Sequence, residues 1–176
     1  IEVVIHDELN PSTPILTMGE VIKELNLLTN GDAVIVTDVG QHQMVACRYA
    51  KFNKSSSSVT SGGLGTMGFA LPAAIGAKAA APDRPVICFT GDGGFSYHLP
   101  ELETARRCGL KTITIVNNNH CLSQGLKNLN IAYGSREQGR KSECYVYLET
   151  DFAKIAQSFD CFGITVEKPG DFKAAF

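Results

Sequence analysis

Apolar residues along the chain fall into short blocks that switch between two periods. From Thr17 to Thr29 (TMGEVIKELNLLT) they recur at 18, 21, 22, 25 and 28, the spacing of one helical face, with Thr17 placed as N-cap. AVIVTD (33–38), PVICFT (85–90), KTITIV (111–116) and GITVEK (163–168) are apolar runs of strand length. Helical stretches lie among them: Gln43 to Phe52, the alanine-rich Phe69 to Ala81, Pro100 to Cys108, and Asp151 to Phe159 with Asp151 as cap. The proline of the third sits in a first turn, where its missing N–H does no harm. Lys54 to Ser58 reads as a serine-rich loop, and 127–145 as a polar, mobile stretch. Residues 1–17 show no clear period and carry Asn10-Pro11 and Thr13-Pro14, so they read as a linker from an upstream part. That leaves 18–176 as one domain. Asp171 to Phe176 looks like a helix just beginning, so the domain is expected to continue past them.

Strands alternating with helices predict an α/β fold, doubly wound, with a mostly parallel sheet and helices on both faces. Such sheets bind ligands beyond the carboxyl ends of their strands. Three of those ends are unusually polar here: Thr37 to His42, Gly91 to Gly94, and Asn117 to His120.

Composition narrows the classes without choosing among them. The 176 residues suit one domain, and 44% hydrophobic with 19% charged residues describes a globular chain. A net charge of -2 gives no footprint for nucleic acid or an anionic membrane. No apolar run approaches the roughly eighteen residues of a membrane span. The six cysteines lie far apart with no CxxC pair, which argues against zinc or a disulfide scaffold and for free thiols in the cytoplasm.

The stretch SGGLGTMGF contains Gly63, Gly65 and Gly68 at the spacing of a nicotinamide-dinucleotide fingerprint. That fingerprint needs a strand directly before its glycines, and NKSSSSVTS offers two or three strand-like residues at most. Asp92, the one acidic candidate for the ribose, is too distant and is itself enclosed in a glycine turn. GDGG at a strand end fits a different chemistry. A carboxylate beside backbone N–H groups suits Mg²⁺ and phosphate, and an asparagine oxygen from the next strand end would complete the donor set. Either turn alone would be ordinary turn chemistry. Both at successive strand ends of one sheet favour the metal reading.

GDGGFSYHLPELETARRCGLKTITIVNNN resembles the motif of thiamine-diphosphate-dependent enzymes, with GDG followed by paired asparagines a little under thirty residues later. TDVGQHQM (37–44) and TSGGLGTMGFALPAAIGAK (60–78) resemble the C-terminal, diphosphate-binding domain of acetolactate synthase large subunits. The resemblance implies that Asp92, the side-chain oxygen of Asn119 and the carbonyl of Cys121 bind Mg²⁺. It implies that Gly93 and Gly94 face the diphosphate with Gln41 and His42 opposite, and that Gly65 and Met67 hold the aminopyrimidine. Gly40, Gly91 and Leu122 complete the surroundings of the cofactor.

The implied activity is decarboxylation of a 2-oxo acid such as pyruvate and transfer of the remainder to a second carbonyl. The activating glutamate of such enzymes belongs to a pyrimidine-binding domain of the same or a neighbouring chain. No catalytic residue is therefore expected here, this chain alone is expected to be inactive, and a homo-oligomer is expected. Ser123 stands where the family usually has glycine, Gln124 where it usually has methionine, and the expected tryptophan is missing. Another thiamine-diphosphate 2-oxo acid decarboxylase or lyase is thus an open alternative. A nicotinamide-binding domain and a non-catalytic assembly module are the remaining ones.

Overall fold

Every interior strand of this chain carries apolar side chains on both faces, and covering both faces dictates the architecture. The computed structural model describes residues 2–134 and 141–176. In chain order the elements are α1 (Glu2–Leu9), α2 (Met18–Thr29), β1 (Val34–Thr37), α3 (Gln41–Tyr49), β2 (Ser58–Thr60), α4 (Ala70–Ala80) and β3 (Val86–Gly91). Then follow α5 (Asp92–Tyr97), α6 (Glu101–Arg107), β4 (Ile113–Asn117), α7 (Leu126–Ala132), α8 (Phe152–Ser158) and α9 (Phe172–Ala175). The strands form one parallel sheet in the order β2-β1-β3-β4.

The period of two within the strands sorts the core into two layers. Val34 and Val36 of β1 and Val86 and Cys88 of β3 pack with Leu71, Ile75, Phe95 and Leu102, on α4, α5 and α6. Ile35, Ile87 and Phe89 point the other way, onto Ile22 and Leu25 of α2, Ala46 and Tyr49 of α3, and Phe172 of α9. Phe89, Ile22 and Leu25 are fully buried. Each such side chain contributes about 1.5–3 kcal/mol through the surface it removes from water. α2 starts where a reciprocal cap forms: the Thr17 hydroxyl accepts from Glu20 N at 3.3 Å, and Glu20 Oε2 accepts from Thr17 N at 2.9 Å. The doubly wound α/β expectation holds.

Several local expectations do not. GITVEK (163–168) joins no ladder among the described residues. Its β-branched residues favour extended chain, while pairing depends on what the segment touches. Gln157 Nε2 holds the Gly163 carbonyl at 2.9 Å, and Leu16 N donates to the Glu167 carbonyl at 3.0 Å. Those ties keep the segment beside α8 and the chain before α2. The sheet's fourth strand is instead Ser58–Thr60, at the end of the serine-rich stretch, paired with Ile35 to Thr37. Arg84 anchors that stretch, donating to the Asp32 carbonyl at 3.0 Å and to Ser57 Oγ at 2.6 Å. Residues 2–9, which show no sequence period, are helical, with Leu9 packed onto the α2 layer. α3 begins at Gln41 rather than Gln43, so His42 sits in its first turn. Within 127–145, expected to be mobile, α7 runs to Ala132 and a 3-10 turn spans Lys141–Cys144; residues 135–140 lie outside the described ones. Among the described residues no helix is long and apolar enough to cross a membrane.

β1 leads through α3 to β2 on one side, and β2 leads through α4 to β3 on the other. The winding therefore reverses beside β1, and the crevice between the ends of β1 and β3 is where a sheet of this kind receives a ligand. Replacing Phe89 by Ala is expected to lower the unfolding free energy by about 3–5 kcal/mol. The same change at Phe162, which is 82% exposed, is expected to cost less than about 0.5 kcal/mol in chemical denaturation.

Candidate functional site

Register alone brings the polar strand ends together. Thr37 lies opposite Phe89 and Gly91 opposite Asn117, so the turns after β1, β3 and β4 leave the sheet side by side. Asp38, the first residue past β1, is 1% exposed. Its Oδ1 accepts from Val39 N at 2.8 Å and Gly68 N at 3.0 Å, and its Oδ2 from Ala70 N at 3.0 Å. One buried carboxylate thus holds the glycine loop and the start of α4 against the end of β1. Gly68 has φ +86 while its N–H makes that bond, a conformation side chains rarely adopt. Gly94 of α5 packs directly on the same carboxylate, and a Cβ there would collide with it.

β3 runs into α5 without a loop, so Asp92 opens the helix immediately after the strand. Its carboxylate is 5% exposed. Oδ1 accepts from Gly93 N at 2.7 Å and Oδ2 from Cys121 N at 3.1 Å. The second bond draws the segment after β4 over the end of β3. His120, at φ +54, makes the bend that allows it. An antiparallel bridge between Cys121 and Val146 braces the segment, with Leu122 N on the Tyr145 carbonyl at 2.8 Å and Tyr147 N on the His120 carbonyl at 2.7 Å.

The three asparagines now separate by role. Asn117 Nδ2 donates to the Thr90 carbonyl at 2.9 Å, between β4 and β3. Asn118 is engaged at both ends, donating to the Thr150 carbonyl at 3.1 Å and accepting from His120 N at 3.4 Å. Asn119 donates Nδ2 to Ser123 Oγ at 3.1 Å.

On the β1 side, the ring of His42 lies against Gly40 and Gly91; a Cβ on Gly91 would meet its Cε1 and Nδ1 at 3.3 Å. The ring stands edge-on to Phe89, centroids 6.0 Å apart. Its buried Nε2 has no hydrogen-bond partner among the described residues. Burial holds the His42 pKa below its ordinary value, outweighing the negative charges of Asp38 and Asp92, so the ring is neutral near pH 7. Burial also pushes the Cys121 thiol up, and the charge of Asp92 adds to it, which keeps that sulfur protonated. Over Gly93 three side chains converge. Leu122 Cδ2, Tyr147 Oη and Met67 Cε lie 2.8, 3.0 and 3.3 Å from where a Cβ of Gly93 would be.

These residues border one cleft of about 1260 Å³ at the carboxyl edge of the sheet. Gly40, Gln41, His42, Met67, Gly91 to Gly94, Asn119, Cys121 and Leu122 all line it. Gly65 does not: it stands on the exposed loop at φ +63, donating to the Ser61 carbonyl. Both departures from the family pattern face the cleft, Ser123 through Asn119 and Gln124 through Oε1, which lies 3.9 Å from a Cβ position on Gly40. Sequence reasoning missed the fastening role of Asp38; its position after a strand and before the Val39-Gly40 turn was the available signal. Tyr147 gave none.

The cleft fits an anionic cofactor with a hard cation. Glycine backbones at 91, 93 and 94 line it, a neutral imidazole whose Nε2 has no partner among the described residues stands beside them, and the Asp92 carboxylate shares the wall with the asparagine amides. Among the described residues no three His, Cys, Asp or Glu side chains gather in the manner of a soft-metal site. A dinucleotide fold places its glycines after a central strand at the reversal of winding. Here they follow the edge strand β2, and the helix after them crosses past β1.

Comparison with known proteins identifies the family. Residues 38–176 match the family model "Thiamine pyrophosphate enzyme, C-terminal TPP binding domain". The acetolactate synthase large subunit of Buchnera aphidicola subsp. Acyrthosiphon pisum is 44% identical over 149 residues, covering 85% of this chain and 25% of that protein. The acetolactate synthase isozyme 3 large subunit of Escherichia coli (strain K12) is 40% identical over 154 residues, with 88% and 26% covered. The Haemophilus influenzae large subunit is 36% identical over 167 residues, with 95% and 28% covered. The chain thus spans about a quarter of the length of these relatives.

The buried neutral His42 makes stability depend on pH. Its folded pKa is depressed, so below about 6.5 the unfolded chain takes up a proton that the folded one refuses. The contribution is therefore intact above that value and is lost as pH falls toward the depressed one. Thermal unfolding is expected to show a loss of Tm between about pH 7 and pH 5 that the non-titrating variant His42→Gln lacks. Parallel pH profiles for the two proteins would contradict the assignment.

Proposed function

The chain belongs to the thiamine pyrophosphate enzymes, as their C-terminal TPP-binding domain, and on that premise we propose which of its residues hold the cofactor and its metal. Asp92, the side-chain oxygen of Asn119 and the carbonyl of Cys121 hold Mg²⁺, which prefers a few hard oxygens beside phosphate. The backbone N–H groups of Gly93 and Gly94 receive the diphosphate, that of Gly93 exchanging its bond to Asp92 Oδ1 for a phosphate oxygen, with Gln41 and His42 on the other side. Met67, above Gly93, would brace the cofactor, and Leu122 would complete its surroundings, while Gly65 stands outside the cleft. The observation that carries this reading is the buried Asp92 carboxylate bonded to Cys121 N at 3.1 Å. It joins the start of α5, directly after β3, to the turn after β4, on the flank of the crevice where the winding reverses.

Bound thiamine diphosphate supplies carbanion chemistry at its thiazolium ring, by which a 2-oxo acid loses CO₂ and the remainder passes to a second carbonyl. The residues of this chain grip the diphosphate end, neutralise its charge through the metal, and exclude water with Met67, Leu122 and Tyr147. The whole protein is proposed to be an acetolactate synthase-like enzyme acting on a 2-oxo acid such as pyruvate. In it the activating glutamate comes from a pyrimidine-binding domain of the same or a neighbouring chain in a homo-oligomer. Another thiamine-diphosphate decarboxylase or lyase is the second reading, favoured by Ser123 and Gln124 in the cleft wall. The unpaired cysteines fit a cytoplasmic setting.

Calorimetric titration of thiamine diphosphate is expected to give binding that needs Mg²⁺, disappears with EDTA, and weakens more than about tenfold in Asp92→Ala, because a charged contact has been removed. Binding of equal strength in that variant would overturn the ligand assignment. Adding a pyrimidine-binding domain in trans is expected to tighten binding in the wild type and not to restore the variant.

A further inference from the structure

Resting on the reading of Asn119 as a metal ligand, we propose that Ser123 is the positioning residue that turns the Asn119 carboxamide oxygen toward the cation. A carboxamide presents either its oxygen or its NH₂ group to a given side, and only the oxygen can coordinate. The neighbouring asparagines are already committed, Asn118 at both its amide nitrogen and its oxygen, Asn117 at its amide nitrogen. Asn119 is exposed and packed by little, so its orientation rests on the one bond from Nδ2 to Ser123 Oγ at 3.1 Å. Among the described residues nothing donates to its Oδ1, which stays available while the NH₂ group is occupied.

Ser123 can do this because of where the chain turns. The bend at His120 brings Cys121 N to Asp92, and the 3-10 turn Ser123–Gly125 starts directly after Leu122. That turn returns residue 123 to within reach of residue 119. The glycine that the family resemblance expects at this position has no hydroxyl to offer. This chain therefore carries an acceptor of its own at the edge of the proposed metal site, and the departure at 123 is a support for the ligand rather than a defect in it.

The test measures metal, not turnover. Mn²⁺ serves as a paramagnetic stand-in for Mg²⁺, titrated in the presence of thiamine diphosphate and followed by loss of the free-ion spin-resonance signal. Ser123→Ala is expected to weaken Mn²⁺ binding about three- to tenfold, the effect of one hydrogen bond near a charge. Ser123→Thr, which keeps the hydroxyl, is expected to stay within about twofold of wild type. In an Asn119→Ala background Ser123→Ala is expected to change nothing further, a coupling that a merely structural serine would not show. Equal affinities for wild type and Ser123→Ala, with Asn119→Ala impaired, would overturn the role of Ser123 and leave the site reading intact. Failure of the wild type to bind Mn²⁺ with the cofactor would overturn the site reading, and this inference with it.

Discussion

Much of the cleft depends on one buried carboxylate. Asp38 collects N–H groups from Val39, Gly68 and Ala70, and its flank is the surface on which Gly94 rests. A buried charge is tolerable only when its lone pairs are taken up, and each donor here comes from backbone that must then stay in place. The loop carrying Met67, the start of α4 and the first turn of α5 are consequently set relative to one another before any ligand arrives. A ligand that meets a preset cleft spends less of its binding free energy on ordering the protein.

The opposite wall uses the same device with a different partner. Asp92 is capped by Gly93 N and Cys121 N, so its charge is also met by backbone. Between the two carboxylates lies the ring of His42, kept neutral by burial although both negative charges pull the other way. Desolvation prevails because the ring is enclosed by Gly40, Gly91 and Phe89 rather than by water. The result is a cleft edge where both aspartates are met by backbone N–H groups and a neutral imidazole stands beside the glycines.

The fold class was legible in the sequence, and most of the residues singled out there line one cleft, for a definite reason. Strand ends in a doubly wound sheet are level, so polar turns after AVIVT, PVICFT and KTITIV had to meet. What was not legible depended on contacts across the chain. GITVEK has the composition of a strand, yet Gln157 and Leu16 hold it elsewhere. Ser58 to Thr60 offers only two strand formers, Val59 and Thr60, yet it pairs because Arg84 anchors the serines before it and β1 offers a free edge. Gly65 shares the spacing of its neighbours but turns to solvent, since a motif fixes the order of residues and not which of them faces inward.

The bridge between Cys121 and Val146 ties distant stretches of sequence into one mechanical unit. Residues 145–147 own no proposed ligand, yet the backbone of Tyr145 and Tyr147 holds the segment that delivers Cys121 N to Asp92. Genetic variation that displaces the backbone of that short strip would therefore act on the position of Cys121 and Asp92 rather than on the surrounding surface.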